Sequence, residues 1–135
     1  MKRNGIINRD ISCVLSTMGH TDLICIADCG LPIPDDIPCI DLSISLGEPT
    51  FQRVLCELLT DMKVEVVYLA EEITQSNQDQ MGATLDVLIA KADNPEVVFV
   101  SHDELKRMSS TCKAIIRTGE NTPYSNIILQ SACIF

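Results

Sequence analysis

The chain has 135 residues, the length of one domain over 1–135, and its 46% apolar and 21% charged content predicts a packed core rather than disorder. Its net charge of −9 opposes nucleic acid and anionic membrane surfaces alike, so neither is expected as a partner. No basic cluster answers a phosphorylated ligand, which leaves a neutral one as the best fit.

Along the chain, Ile11, Val14, Leu15 and Met18 recur at helical spacing, with Asn8 as the expected N-cap and Gly19 as the stop. The run 23–27 reads as a short strand buried on both faces and ending at Asp28. Gly30, Pro32, Pro34 and Pro38 follow closely. Proline fixes φ and lacks an N–H, so this stretch is a shaped loop. Residues 39–44 give a second strand. Pro49 suits the opening turn of a helix whose apolar stripe is Phe51, Val54, Leu55, Leu58, Leu59 and Met62.

A third strand is predicted over 64–70, a helix over 77–91 closed by Asp93-Asn94-Pro95, and a fourth strand over 97–100. Ser101 with Glu104 has capping-box spacing for a short helix through Met108. A fifth strand at 113–117, a turn over 119–125 and a last strand at 127–134 complete the chain. Strands alternating with helices imply an α/β fold with a largely parallel sheet covered on both sides. The short link between the last two strands predicts an antiparallel pair.

Seven cysteines are present, an odd number, with no Cys-x-x-Cys spacing and with neighbours such as Ile24 and Ile26 around Cys25. That pattern predicts reduced thiols in the core and a cytoplasmic location rather than a zinc ribbon or a disulfide framework. The polar opening over 1–5 leads into no long apolar run, and no segment approaches the ~20 apolar residues of a membrane span.

Open α/β sheets bind ligands beyond the carboxyl ends of their strands. Asp28, His102 and the segment around Tyr124 fall at such ends, while His20 directly follows Gly19. Each has an ordinary reading on position alone. A histidine at a helix end caps or faces solvent, Asp28 satisfies loop N–H groups, and Tyr124 and Asn126 serve a turn. Two histidines and a carboxylate match a metal triad in composition, but no His-x-Glu or Glu-x-x-His spacing occurs, so no metal is expected. Neither a phosphate-cradling glycine motif nor a Gly-x-Ser-x-Gly elbow is present.

Taken together, longer strings are more specific. Gly19-His20-Thr21-Asp22 and Ile26-Ala27-Asp28-Cys29-Gly30-Leu31-Pro32-Ile33-Pro34 resemble the signature of the D-ribose pyranase family. So do Ile40-Asp41-Leu42, Val100-Ser101-His102 and the run from Arg117 through Thr122-Pro123-Tyr124-Ser125-Asn126 to Leu129. The opening 1–8 and the helix around 51–62 match as well, so the similarity runs essentially end to end.

The resemblance implies interconversion of the pyranose and furanose rings of β-D-ribose, without a cofactor. It implies a general acid at His20 and sugar-binding groups at Asp28, His102, Tyr124, Ser125 and Asn126. It also implies a three-layer α/β/α sandwich with a six-stranded, mostly parallel mixed sheet. Homo-oligomeric assembly is implied too, as pentameric rings stacked into a homodecamer with sites near subunit boundaries. Cys29 and Ser125 stand where alanine is common in the family; both are small enough to leave a pocket open. The sister L-fucose mutarotases share the first histidine but lack the Gly-Leu-Pro-Ile-Pro loop and the Thr-Pro-Tyr run, which favours ribose. Mutarotation of another free sugar, or ribose binding without catalysis, are the alternatives.

These residue types suit the chemistry. Ring exchange opens the anomeric carbon and recloses it with a different hydroxyl, so protons move and no electrons do. Histidine, with an unperturbed pKa of ~6.5, both gives and takes a proton near neutrality. A carboxylate at Asp28 accepts from two neighbouring hydroxyls, and Tyr124 and Asn126 both donate and accept.

Overall fold

The computed structural model describes residues 1–135. Helix α1 (Arg9–Thr17) begins where its cap dictates: Asn8 Oδ1 accepts from the N–H groups of Asp10 and Ile11, both at 3.0 Å. Strand β1 (Leu23–Ala27) follows, with Ile24, Cys25, Ile26 and Ala27 all fully buried. Strand β2 (Cys39–Asp41) stops three residues short of its expected end, because Asp41 Oδ1 takes the N–H of Ser43 at 2.9 Å and turns the chain. Helix α2 (Phe51–Leu58) is capped by Thr50, whose Oγ1 accepts from Arg53 N–H at 3.2 Å. Pro49 lies just ahead of that cap, after a cis peptide, and not in the first helical turn.

Strand β3 (Val64–Ala70) leads to a short helix α3 (Ile73–Ser76), which the apolar pattern does not announce, and then to α4 (Gln78–Lys91). Strand β4 (Glu96–Val100), helix α5 (His102–Ser109), strand β5 (Ile115–Arg117) and strand β6 (Ile127–Ser131) complete the order. The sheet has six strands in the order β2-β5-β1-β6-β3-β4. β5 lies parallel to β1 and β2, and β4 to β3; only β6 runs antiparallel, against β1 and β3.

Alternation along β1 sorts the core into two layers. Ile24 and Ile26 pack with α1, α2 and α4 through Ile11, Phe51, Leu55 and Leu88. Cys25 and Ala27 face the other way, toward Leu105 of α5 and Leu31 of the proline-rich loop. The result is a three-layer α/β/α sandwich around a six-stranded mixed sheet, as expected.

Two expectations are corrected. The last two strands do not pair: β5 has both edges taken by its parallel neighbours, and β6 lies beyond β1. β6 is apolar on both faces, so it needs a central position between two strands. The link 118–126 therefore crosses the carboxyl end of β1. The cysteines are not uniformly core. Only Cys25 and Cys112 are buried, while Cys13 lies on the outer face of α1 and Cys39 on an outward position of edge strand β2. Burial raises the Cys25 thiol and pushes Cys112 up to about 12. No helix is long and apolar enough to cross a membrane.

Candidate active site

The crossing link and the ends of β1 and β4 build one cleft. Thr118 ties the link to β1, donating its N–H and its Oγ1 hydroxyl to Ala27 O at 2.9 and 2.8 Å. Gly119 then passes so close to the 45–48 turn that a Cβ would collide with the carbonyl oxygens of Ser45 and Glu48; only glycine fits. Glu120, 8% exposed, accepts backbone N–H bonds from Asn121, Thr122 and Phe51 at 3.1, 3.1 and 3.3 Å. Burial pushes its carboxyl up, but the bonds from Thr122, Phe51 and Asn121 outweigh this and hold it below the usual range.

Just beyond β1, Asp28 is gripped from the far end of the link. Its N–H donates to Asn126 Oδ1 at 2.9 Å, and its Oδ2 accepts from Asn126 Nδ2 at 2.8 Å. Asp28 Oδ1 accepts from Gly30 N–H at 3.0 Å. The carboxylate still has lone pairs to offer.

Beyond β4, Ser101 caps α5 by accepting from Glu104 N–H at 3.2 Å. His102 opens the helix, and its N–H donates to both carboxylate oxygens of Glu72 at 3.0 Å. An acidic group at a helix amino end is favoured there. The His102 ring meets Tyr124 edge to face, 5.1 Å between centroids at 89°. Its Nδ1 is buried without a hydrogen-bond partner in the chain. Tyr124 is held at φ 65°, a left-handed conformation costing about 1–3 kcal/mol in a non-glycine residue. Asn77 Nδ2 steadies that turn by donating to Pro123 O at 2.7 Å.

Together these walls enclose a cleft of about 490 Å³, lined among others by Asp28, Gly30, Pro32, His102, Lys106 and Tyr124. Its size suits a small ligand. Lys106 and Glu120 escaped the sequence reading. For Lys106 a signal existed, since it lies four residues past His102 on the same helix face.

Of the expected residues, Asp28, His102 and Tyr124 converge on the cleft, and Asn126 meets it only through Asp28. Ser125 turns inward: it is fully buried, its Oγ has no partner, and it does not line the cleft.

His20 lies elsewhere. It sits in the turn before β1, where Gly19 N–H donates to Asp22 Oδ2 at 2.8 Å and Thr21 N–H to Ser131 O at 3.0 Å. Its side chain is half-exposed, and its Nε2 lies 3.0 and 3.1 Å from the two carboxylate oxygens of Glu65. Hydrogen bonds from Gln130 and then His20 hold the Glu65 carboxyl below its usual range. At about 3.3 Å per residue, β1 separates this turn from Asp28 by roughly 17 Å. His20 borders a second hollow of about 360 Å³ with Leu15, Lys63 and Phe135. Within one chain, the proton-transfer candidate and the cleft lie at opposite ends of β1. No group of three or more His, Cys, Asp or Glu side chains is arranged to hold a metal ion.

The pattern of the RbsD / FucU transport protein family matches residues 1–134. A curated relative from Streptococcus agalactiae, named D-ribose pyranase, is 53% identical over 135 residues and covers 99% of each chain. The solved structure of Bacillus subtilis RbsD complexed with D-ribose superposes with a TM-score of 0.94 at 43% identity, covering both chains fully. The fucose mutarotase from Streptococcus pneumoniae, complexed with L-fucose, has a TM-score of 0.79 at 19% identity over 96% of this chain and 95% of its own, and shares the fold. The chain belongs to the RbsD / FucU transport protein family.

Proposed function

We propose that this chain is an isomerase that interconverts β-D-ribopyranose and β-D-ribofuranose. The observation that carries this reading is the convergence of Asp28, His102 and Tyr124 on one cleft, in a chain 46% to 53% identical to curated relatives named D-ribose pyranase. The ribose bound by the Bacillus subtilis relative supports D-ribose as the ligand.

In this reading Asp28, held by Asn126, accepts from two sugar hydroxyls, and the Tyr124 hydroxyl fixes a third. His20 of a second copy reaches the cleft rim and acts as general acid, since its own chain's cleft lies beyond the far end of β1. The imidazolium gives its proton to the ring oxygen as the bond from C1 to O5 breaks. The anomeric hydroxyl loses its proton to a base in the cleft, a role we assign to His102 because it lines that cleft, and the open aldehyde forms. Rotation brings the C4 hydroxyl onto C1; it closes the furanose and the two protons return. The gain required is modest, about 10²–10⁴-fold over water. No electron sink enters this scheme.

Shared sites require assembly. Ile7, Ile44, Leu46, Ile134 and Phe135 are exposed apolar side chains in need of cover, which supports a homo-oligomer; pentameric rings paired into a decamer are the size we assign. Reduced thiols and the absence of any membrane-crossing helix accord with a cytoplasmic place of work.

Saturation-transfer NMR between the pyranose and furanose signals of ribose tests the function. The chain is expected to raise the exchange rate, and His20→Ala to remove most of that gain while ribose still binds. Binding without accelerated exchange in the unaltered chain would make it a sugar carrier instead.

A further inference from the structure

Glu65 belongs to no part of the cleft, yet the fold aims it. Val64 pairs with Ser131 and Val66 with Gln130, so Glu65 is the unpaired residue of a β-bulge in β3. Bulges re-aim a side chain out of the regular alternation and recur beside active sites. Here the carboxylate is brought to His20, with Nε2 at 3.0 and 3.1 Å from its two oxygens.

The carboxylate is itself held. Gln130 Nε2 donates to Glu65 Oε1 at 2.7 Å, and the Tyr68 hydroxyl donates to Gln130 Oε1 at 3.1 Å. Tyr68 therefore sets which end of the Gln130 amide faces Glu65, and Gln130 sets the carboxylate's plane. An ionised carboxylate only accepts hydrogen bonds, so the His20 nitrogen against it must carry the hydrogen. We infer that Glu65 is the positioning residue of the reaction: it holds His20 as the Nε2–H tautomer and leaves Nδ1 as the nitrogen that exchanges a proton with the sugar. This rests on His20 being the proton-transfer residue. The logic matches that of a carboxylate orienting a catalytic imidazole in other hydrogen-bonded pairs.

Glu65→Gln makes a sharp test because Gln130 dictates how the new amide sits. Its carbonyl must accept from Gln130, which turns its NH₂ toward His20 Nε2. That nitrogen must then accept, and the proton moves to Nδ1. With full-length protein and ribose, kcat for ring exchange is expected to fall by roughly 10²-fold or more. KM should stay within about twofold, since Asp28, His102 and Tyr124 are untouched.

Nitrogen-15 NMR of the imidazoles, with the His20 signals assigned by their loss in His20→Ala, should show the tautomer switch from Nε2–H to Nδ1–H. Glu65→Asp keeps a carboxylate and is expected to retain the Nε2–H tautomer and most of kcat. Full exchange in Glu65→Gln with the tautomer unchanged would overturn the inference. So would a Glu65→Asp variant as impaired as Glu65→Gln, because a merely structural role predicts that. If His20→Ala itself keeps full exchange, the underlying assignment of His20 fails and takes this one with it. If His20→Ala is inactive and Glu65→Gln is not, only the role of Glu65 falls.

Discussion

Asp28 shows how one side chain depends on another for its geometry. Asn126 accepts from its N–H and donates to its carboxylate, so removing the amide frees both. Asn126→Ala is expected to weaken ribose binding nearly as much as Asp28→Ala, a loss of about 1–3 kcal/mol by calorimetry; unchanged affinity would count against the clamp. Glu120 gives a pH signature. Its folded value lies below the ordinary 4.5, so its contribution is complete above that pH and is lost as pH falls through the lower folded value. Glu120→Gln is expected to flatten the acid side of a plot of Tm against pH. At this scale the sequence is readable where partners are neighbours: Asn8 and Ser101 cap as their spacing says. It is opaque where direction depends on a distant chain. Ser125 turns inward, and Glu65 finds His20 through a bulge that exists only once β3 has paired with β6.

Among the elements, the link 118–126 is the one whose route matters most. Its course over the end of β1 follows from strand order, which alternating strands and helices leave open. A hairpin would have carried Tyr124 away from Asp28. Gly119→Ala is expected to destabilise the fold and displace the link, because the added methyl meets the Ser45 and Glu48 carbonyls. A loss above about 2 kcal/mol in chemical denaturation, with weakened ribose binding, is the expected result. The segment from Glu72 to Asn77 braces the opposite wall, bonding the His102 N–H and the Pro123 carbonyl. The apolar stripe of α2 and the doubly buried β1 were legible because burial repeats along the chain. The short α3 was not, having a single buried residue, Ile73, to announce it.

For the whole molecule, the separation of His20 from Asp28 along β1 has a direct test. Assemblies mixed from equal amounts of His20→Ala and Asp28→Ala chains contain sites in which both residues are intact. Random mixing is expected to restore roughly one quarter of the unaltered activity. No recovery would place both residues' work within one chain. The separation also governs geometry. A contact that carries the leading end of β1 from one copy to the trailing end of another joins unlike surfaces, so an open row always leaves one opening without a donor and one donor idle. If His20 serves a neighbour's cleft as proposed, only a closed assembly, whether a twofold pair or a ring, employs every copy.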